Sequence, residues 1–255
     1  MKSLSSFYLI VALAAVVFVS MVASPWTALS QEKTANEIDR SAHVIKHDLA
    51  KYAADAMKWD QEVAKLVASN SSDGGDDAIL CLGSSSFRLW DSISVDMAPY
   101  QMLRRAYGGA KFCDLAIHSP KLVDGIRFRA AMIFVGNDIT GKEKDKTPVE
   151  IARLAKIVID SVREHRSEVP IFVIAITPTP SRFQHWQKIV LANDALEKLV
   201  AAERNTFFVA TQDRYLNSQG APRPELFVKD MLHQNKEGYA IWSRLLKNSL
   251  EKNLR

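Results

Sequence analysis

Short apolar runs alternate with stretches of helical periodicity along most of this chain, and that alternation limits the folds open to it. Residues 78–82, 130–135 and 171–176 are strong runs, Thr206–Val209 is short, and 102–107 carries Arg104 and Arg105 within it. Between them, Pro148–His165 and residues 183–203 have the apolar spacing of amphipathic helices, and 237–250 closes the chain in the same way. Runs this apolar have no wet face. Alternating with helices, they describe a parallel sheet covered on both sides. The expected fold class is α/β, a three-layer α/β/α arrangement on a five-stranded parallel sheet. Ligand chemistry then belongs on the loops at the carboxyl ends of the strands.

Two regions precede the sheet. In residues 32–68, Ile38, Val44, Leu49, Tyr52, Ala56, Trp59, Val63 and Leu66 recur at helical steps among charges, and residues 69–77 (S-N-S-S-D-G-G-D-D) form a loop. Earlier still, Lys2 precedes an almost wholly apolar stretch over residues 7–23, and Ala28-Leu29-Ser30 offers a small-x-small cleavage site before Gln31. This is the pattern of a secretory signal peptide. An apolar core of about 17 residues also suits an uncleaved N-terminal anchor. No cysteine follows the core, which argues against lipid anchoring. The chain therefore divides into 1–30 (signal peptide or anchor), 31–77 (helical extension and loop) and 78–255 (the main domain). Its folded part is expected outside the cytoplasm, with membrane contact only through residues 1–30 if they are kept.

A net charge of +4 spread along 255 residues, without a basic run or an interleaved aromatic stripe, gives no footprint for nucleic acid. Two cysteines, Cys81 and Cys113, make no disulfide scaffold and, without ligand spacing to histidines, no zinc site. Whether the two pair depends on a distance that sequence does not give.

The polar residues just past the strand ends carry the functional signal. The first run ends at Gly83 and is followed by Ser84, Ser85 and Ser86, then by a segment of helical spacing (Phe87, Leu89, Trp90, Ile93). A strand that stops at a glycine and turns into a helix presents a serine hydroxyl at the sheet edge, above free N–H groups. The second run gives Gly108-Gly109 and the third gives Gly136-Asn137-Asp138. Near the end, Asp230 and His233 are three residues apart, close enough for a carboxylate to hold an imidazole tautomer while the ring acts as general base. A glycine N–H and an asparagine amide are donors suited to an oxyanion. Taken singly, each has an ordinary explanation as a turn or a cap.

In chain order, a serine after strand one, a glycine after strand two, an asparagine after strand three and a late Asp-x-x-His resemble the SGNH (GDSL-type) hydrolases. The resemblance runs from about Trp59 to the C-terminus. It is carried by L-G-S-S-S-F-R-L-W, R-R-A-Y-G-G-A and D-M-L-H-Q-N-K-E-G-Y-A-I-W. It is nearest the branch similar to platelet-activating-factor acetylhydrolase-like and carbohydrate-acetylesterase-like members. The resemblance implies a flavodoxin-like SGNH fold. It also implies Ser85 as nucleophile, His233 and Asp230 as base and orienting acid, and Ser85 N–H, Gly109 N–H and the Asn137 side chain as oxyanion donors. Two positions depart from the family pattern. Ser84 stands where aspartate is usual, and Val135 stands where the third block has its first glycine. The expected activity is an exported serine esterase removing small acyl groups, acetyl first, from a carbohydrate or lipid alcohol. No metal or organic cofactor is needed, and the pocket walls are expected from Phe87, the 177–183 loop and the 217–229 stretch. An acyltransferase with the same residues, a catalytically idle binding relative, and a flavin- or phosphate-binding protein are the alternatives.

Overall fold

The computed structural model describes residues 49–254. The signal or anchor at 1–30 and the first part of the helical extension lie outside the described residues. Five strands, β1 (Ala78–Gly83), β2 (Gln101–Ala106), β3 (Ala130–Phe134), β4 (Ile171–Ile174) and β5 (Thr206–Val209), form one all-parallel sheet in the order β2-β1-β3-β4-β5. β1 is buried along its whole length, as a central strand with both faces covered must be.

On one face lie α1 (Ala53–Met57), α2 (Asp60–Val67), α5 (Phe112–Val123), α6 (Pro148–His165) and α7 (Trp186–Ala202); on the other lie α3 (Ser85–Arg88), α4 (Ile93–Asp96) and α9 (Lys236–Asn253). A short α8 (Gln212–Tyr215) follows β5. α6 matches its sequence-expected bounds. Thr147 accepts the Glu150 N–H, a proline opens the first turn, and Ile151, Leu154, Ala155, Val158, Ile159 and Val162 form the buried stripe.

Two expectations need correction. The helical spacing after the serines gives two single turns, α3 and α4, in place of one helix. Arg104 on β2 draws away the carbonyls of Arg88 (3.0 Å) and Trp90 (3.2 Å), and Asp96 takes the Trp90 indole N–H (2.7 Å) and the Ser92 hydroxyl (2.6 Å). The two arginines that mar β2 as a sequence are thus explained. The neighbouring Arg105 is buried and pairs with Asp73 and Asn70, each at 2.9 Å, in the loop before β1. Phe87, expected in a pocket wall, is instead wholly buried against Trp242 in the core.

The cysteines are free and buried. Cys81 belongs to the core on the α9 side of the sheet and Cys113 to the core on the α5 side, so the sheet itself separates them.

Residues 49–77 pack into the α5 face. Tyr52 donates to Glu150, the Trp59 indole N–H donates to Asp114 at 3.0 Å, and the Asn70 amide satisfies the carbonyls of Lys121 and Asp124 at the end of α5.

Candidate active site

Strand order reverses on either side of β1, so the crevice at the carboxyl ends of β1 and β3 is where this topology leaves room for a ligand. Gly83 makes that edge. It has φ +149°, and a Cβ there would stand 1.9 Å from the carbonyl oxygen of Phe134 on β3. Only glycine lets the two strand ends approach so closely. The chain then turns, and Ser85 becomes the first residue of α3, where its N–H has no partner within the helix.

His233 reaches the same place from the far end of the chain. The Tyr239 hydroxyl donates to the Ser86 carbonyl at 2.9 Å, and Trp90 stacks on Tyr239 with ring centroids 4.9 Å apart, so the first turn of α9 is fixed beside α3. Asn235 caps α9 by accepting the Gly238 N–H at 3.1 Å. Just before the cap, Gln234 pairs with Phe227 across a short antiparallel bridge, and the Tyr215 hydroxyl donates to Gln234 at 2.5 Å.

The side chains of Ser85, His233 and Asp230 come together. The Ser85 hydroxyl lies 2.9 Å from His233 Nε2, and His233 Nδ1 lies 2.6 Å from Asp230 Oδ2. With the proton on Nδ1 donated to the carboxylate, Nε2 is left to accept from the serine. The other Asp230 oxygen accepts the backbone N–H groups of Leu232 and His233, each at 2.9 Å. Burial pushes the Asp230 carboxyl up, but these hydrogen bonds outweigh it and hold the group below its ordinary value. The Asp230 side chain is 47% exposed, so water screens its charge.

Asn137 lines the same cleft, together with Ser85, His233, Thr179 and Arg182. Its Nδ2 donates to the Ala110 carbonyl at 3.0 Å, and its Oδ1 accepts from Arg182 at 2.7 Å. Next to it, Asp138 is fully buried and accepts the Phe112 N–H at the start of α5 (3.0 Å to one oxygen). Burial pushes the Asp138 carboxyl up to about 7, against the helix-end N–H and the pull of Lys111 and Lys146. Gly109 is not brought into the cleft lining. It stands exposed on the turn after β2 with φ +72°, and the Trp59 ring lies 3.4 Å from where its Cβ would be. The cavity beside Ser85 has a volume of about 30 Å³. That is room for roughly two or three water-sized groups.

Arg182 is a cleft residue that sequence reasoning missed. It sits on the 3₁₀ turn Pro180–His185, within the loop after β4 expected to wall the pocket, and a lone arginine in a Pro-rich loop carries no motif. Burial pulls its guanidinium below the ordinary value, opposed by Asp145 and Asp138. Among the described residues no group of histidine, cysteine and carboxylate side chains is arranged to hold a metal ion.

No family model matches the sequence, and no curated protein matches it either. Solved structures do match by shape. A Streptococcus pneumonia protein named as a platelet activating factor aligns at TM-score 0.65 with 20% identity, covering 83% of this chain and 99% of that one. A GDSL-like lipase from Bacteroides thetaiotaomicron aligns at 0.63 with 17% identity, over 78% and 98% of the two chains. Est24, a carbohydrate acetylesterase from Sinorhizobium meliloti, aligns at 0.52 with 15% identity, over 69% and 99%. The chain shares the fold of these structures, the α/β/α arrangement that the motif resemblance implies.

Proposed function

We propose that this chain is an exported serine esterase that removes small acyl groups, acetyl first, from a carbohydrate or lipid alcohol. The reading rests on one run of hydrogen bonds, Ser85 hydroxyl to His233 Nε2 at 2.9 Å and His233 Nδ1 to Asp230 at 2.6 Å. In the reaction, Ser85 Oγ attacks the ester carbonyl carbon while Nε2 takes its proton. The carbonyl π electrons move to oxygen, and the resulting oxyanion is met by the Ser85 N–H and the Asn137 amide. Collapse breaks the bond to the alcohol oxygen, which leaves with the proton from His233. Water, deprotonated by the same imidazole, then attacks the acyl-serine; collapse breaks the acyl–Oγ bond, Ser85 Oγ recovers the proton from His233, and the carboxylic acid is released.

The small volume of the cavity beside Ser85 supports a short acyl chain and leaves the alcohol to the open side of the cleft. The neighbours named as lipases and acetylesterases support an ester substrate. The apolar stretch over residues 7–23 supports export.

The test is hydrolysis of p-nitrophenyl acetate with fluorophosphonate labelling. Wild type turns over and is labelled at Ser85, whereas Ser85→Ala and His233→Ala lose roughly four to six orders of magnitude in turnover. Full activity in Ser85→Ala would end the reading.

A further inference from the structure

Asn137 is held from both sides by groups of opposite hydrogen-bonding character. Arg182 offers its Oδ1 only donors, and the Ala110 carbonyl offers its Nδ2 only an acceptor. A flipped amide would set N–H against guanidinium and oxygen against oxygen, so a single orientation satisfies both partners. In that orientation one amide N–H is spent on Ala110 and the other is free for the cleft.

Arg182 also brings a charge that no ion pair in the resting site neutralises, although Asp145 and Asp138 act on it at longer range. Its guanidinium is half-buried and lines the cleft with Ser85 and His233. It donates to Asn137 Oδ1 and to the Gly136 carbonyl, and among the described residues no carboxylate lies within ion-pair distance of it. A desolvated cation whose hydrogen bonds go only to neutral dipoles in the ground state gains most when negative charge appears beside it. The turn that carries it is itself fixed to the loop of the base, because the Ser181 N–H donates to the Met231 carbonyl at 3.0 Å.

We propose that Arg182 is the positioning residue of the oxyanion site: it locks the Asn137 amide with one N–H aimed at the developing oxyanion and supports that charge through the amide. This inference rests on the esterase reading and adds a role to it. The bonds made and broken are those already described. Arg182 exchanges no proton and touches the reacting atoms only through Asn137.

A double-mutant cycle on the full chain tests it, with p-nitrophenyl acetate as a neutral substrate. Arg182→Ala should lower kcat roughly ten- to a hundredfold with KM changed less than about threefold, the signature of an interaction made in the transition state. In an Asn137→Ala background the same change should lower kcat only a few-fold, because the group it positions is gone. Arg182→Lys, which keeps the charge but loses the planar fork, should fall between wild type and Arg182→Ala, and it carries the test if Arg182→Ala does not fold. Equal losses in both backgrounds, an effect confined to KM, or wild-type kcat in Arg182→Lys and Arg182→Ala would each overturn the proposal while leaving the esterase standing. Activity that survives Ser85→Ala would instead remove the esterase reading itself.

Discussion

The hydroxyl of Tyr239 donates to the carbonyl of Ser86 at 2.9 Å, tying the last helix to the residue after the nucleophile candidate across 153 positions of sequence. This bond holds His233 in register with Ser85. Tyr239 is buried and Ser86 half-buried, and the ring is stacked on Trp90 whether or not it carries the hydroxyl. Tyr239→Phe should therefore keep the fold, cost about 1 kcal/mol by leaving a carbonyl unpaired, and lower kcat several-fold. Thermal melting should show a fall of roughly 2–4 °C. An unchanged kcat would place the alignment of His233 elsewhere.

Asp230→Asn would keep the shape of the pair but remove the charge that favours a protonated imidazole. Turnover should drop by roughly two to four orders of magnitude with little change in KM. Because the folded-state carboxyl is held low, any stability it contributes is present above its ordinary value and lost as pH falls through the folded one. The acid limb of a denaturation profile should therefore flatten in the Asn variant.

Asp138 carries the opposite sign. Its folded carboxyl is raised to about 7 from an ordinary 3.8, so between those values the folded state binds more protons than the unfolded one. Stability from this group is full below the ordinary value and falls as pH rises toward 7. Urea denaturation from pH 4 to 8 should show that decline in wild type and lose it in Asp138→Asn. A decline that persists in the variant would assign it to another group.

Gly83→Ala should be severely destabilising, by roughly 3 kcal/mol or more, since the added methyl would stand 1.9 Å from the Phe134 carbonyl oxygen, far inside van der Waals contact. Soluble yield and melting temperature measure this directly. A variant as stable as wild type would mean that the strand ends can part, and with them the crevice.

Much of this was legible before any coordinates. Apolar runs marked the strands most plainly where sequence and burial coincide, as in I-L-C-L of β1, and least plainly at β2, which is half-buried and carries two arginines. α5 was not legible. It is buried almost all round, so it has no polar face to set a period, and Pro120 sits inside it. Asp-x-x-His was legible because its spacing is local, and Ser85 because a glycine-terminated strand marks its turn. Arg182 was not, since its meaning lies in Gly136 and Asn137, more than forty positions away. The histidines on helices also gained partners that spacing cannot show: His118 meets the Ala56 carbonyl and His165 the Ile126 carbonyl, each at 3.1 Å.

The packing of residues 49–77 onto α5 bears on where this protein can be cut. A polypeptide begun at Ala78 would retain all five strands and every residue assigned to chemistry, yet it would strip the Trp59 ring from Tyr107 and leave the Arg105 guanidinium, now paired with Asp73, without an anion. Such a truncated product should come out of cells as insoluble aggregate, whereas one begun near Leu49 should not. The lead-in stretch is thus a wall of the same building as the catalytic half, and the smallest autonomous unit is longer than its motifs suggest.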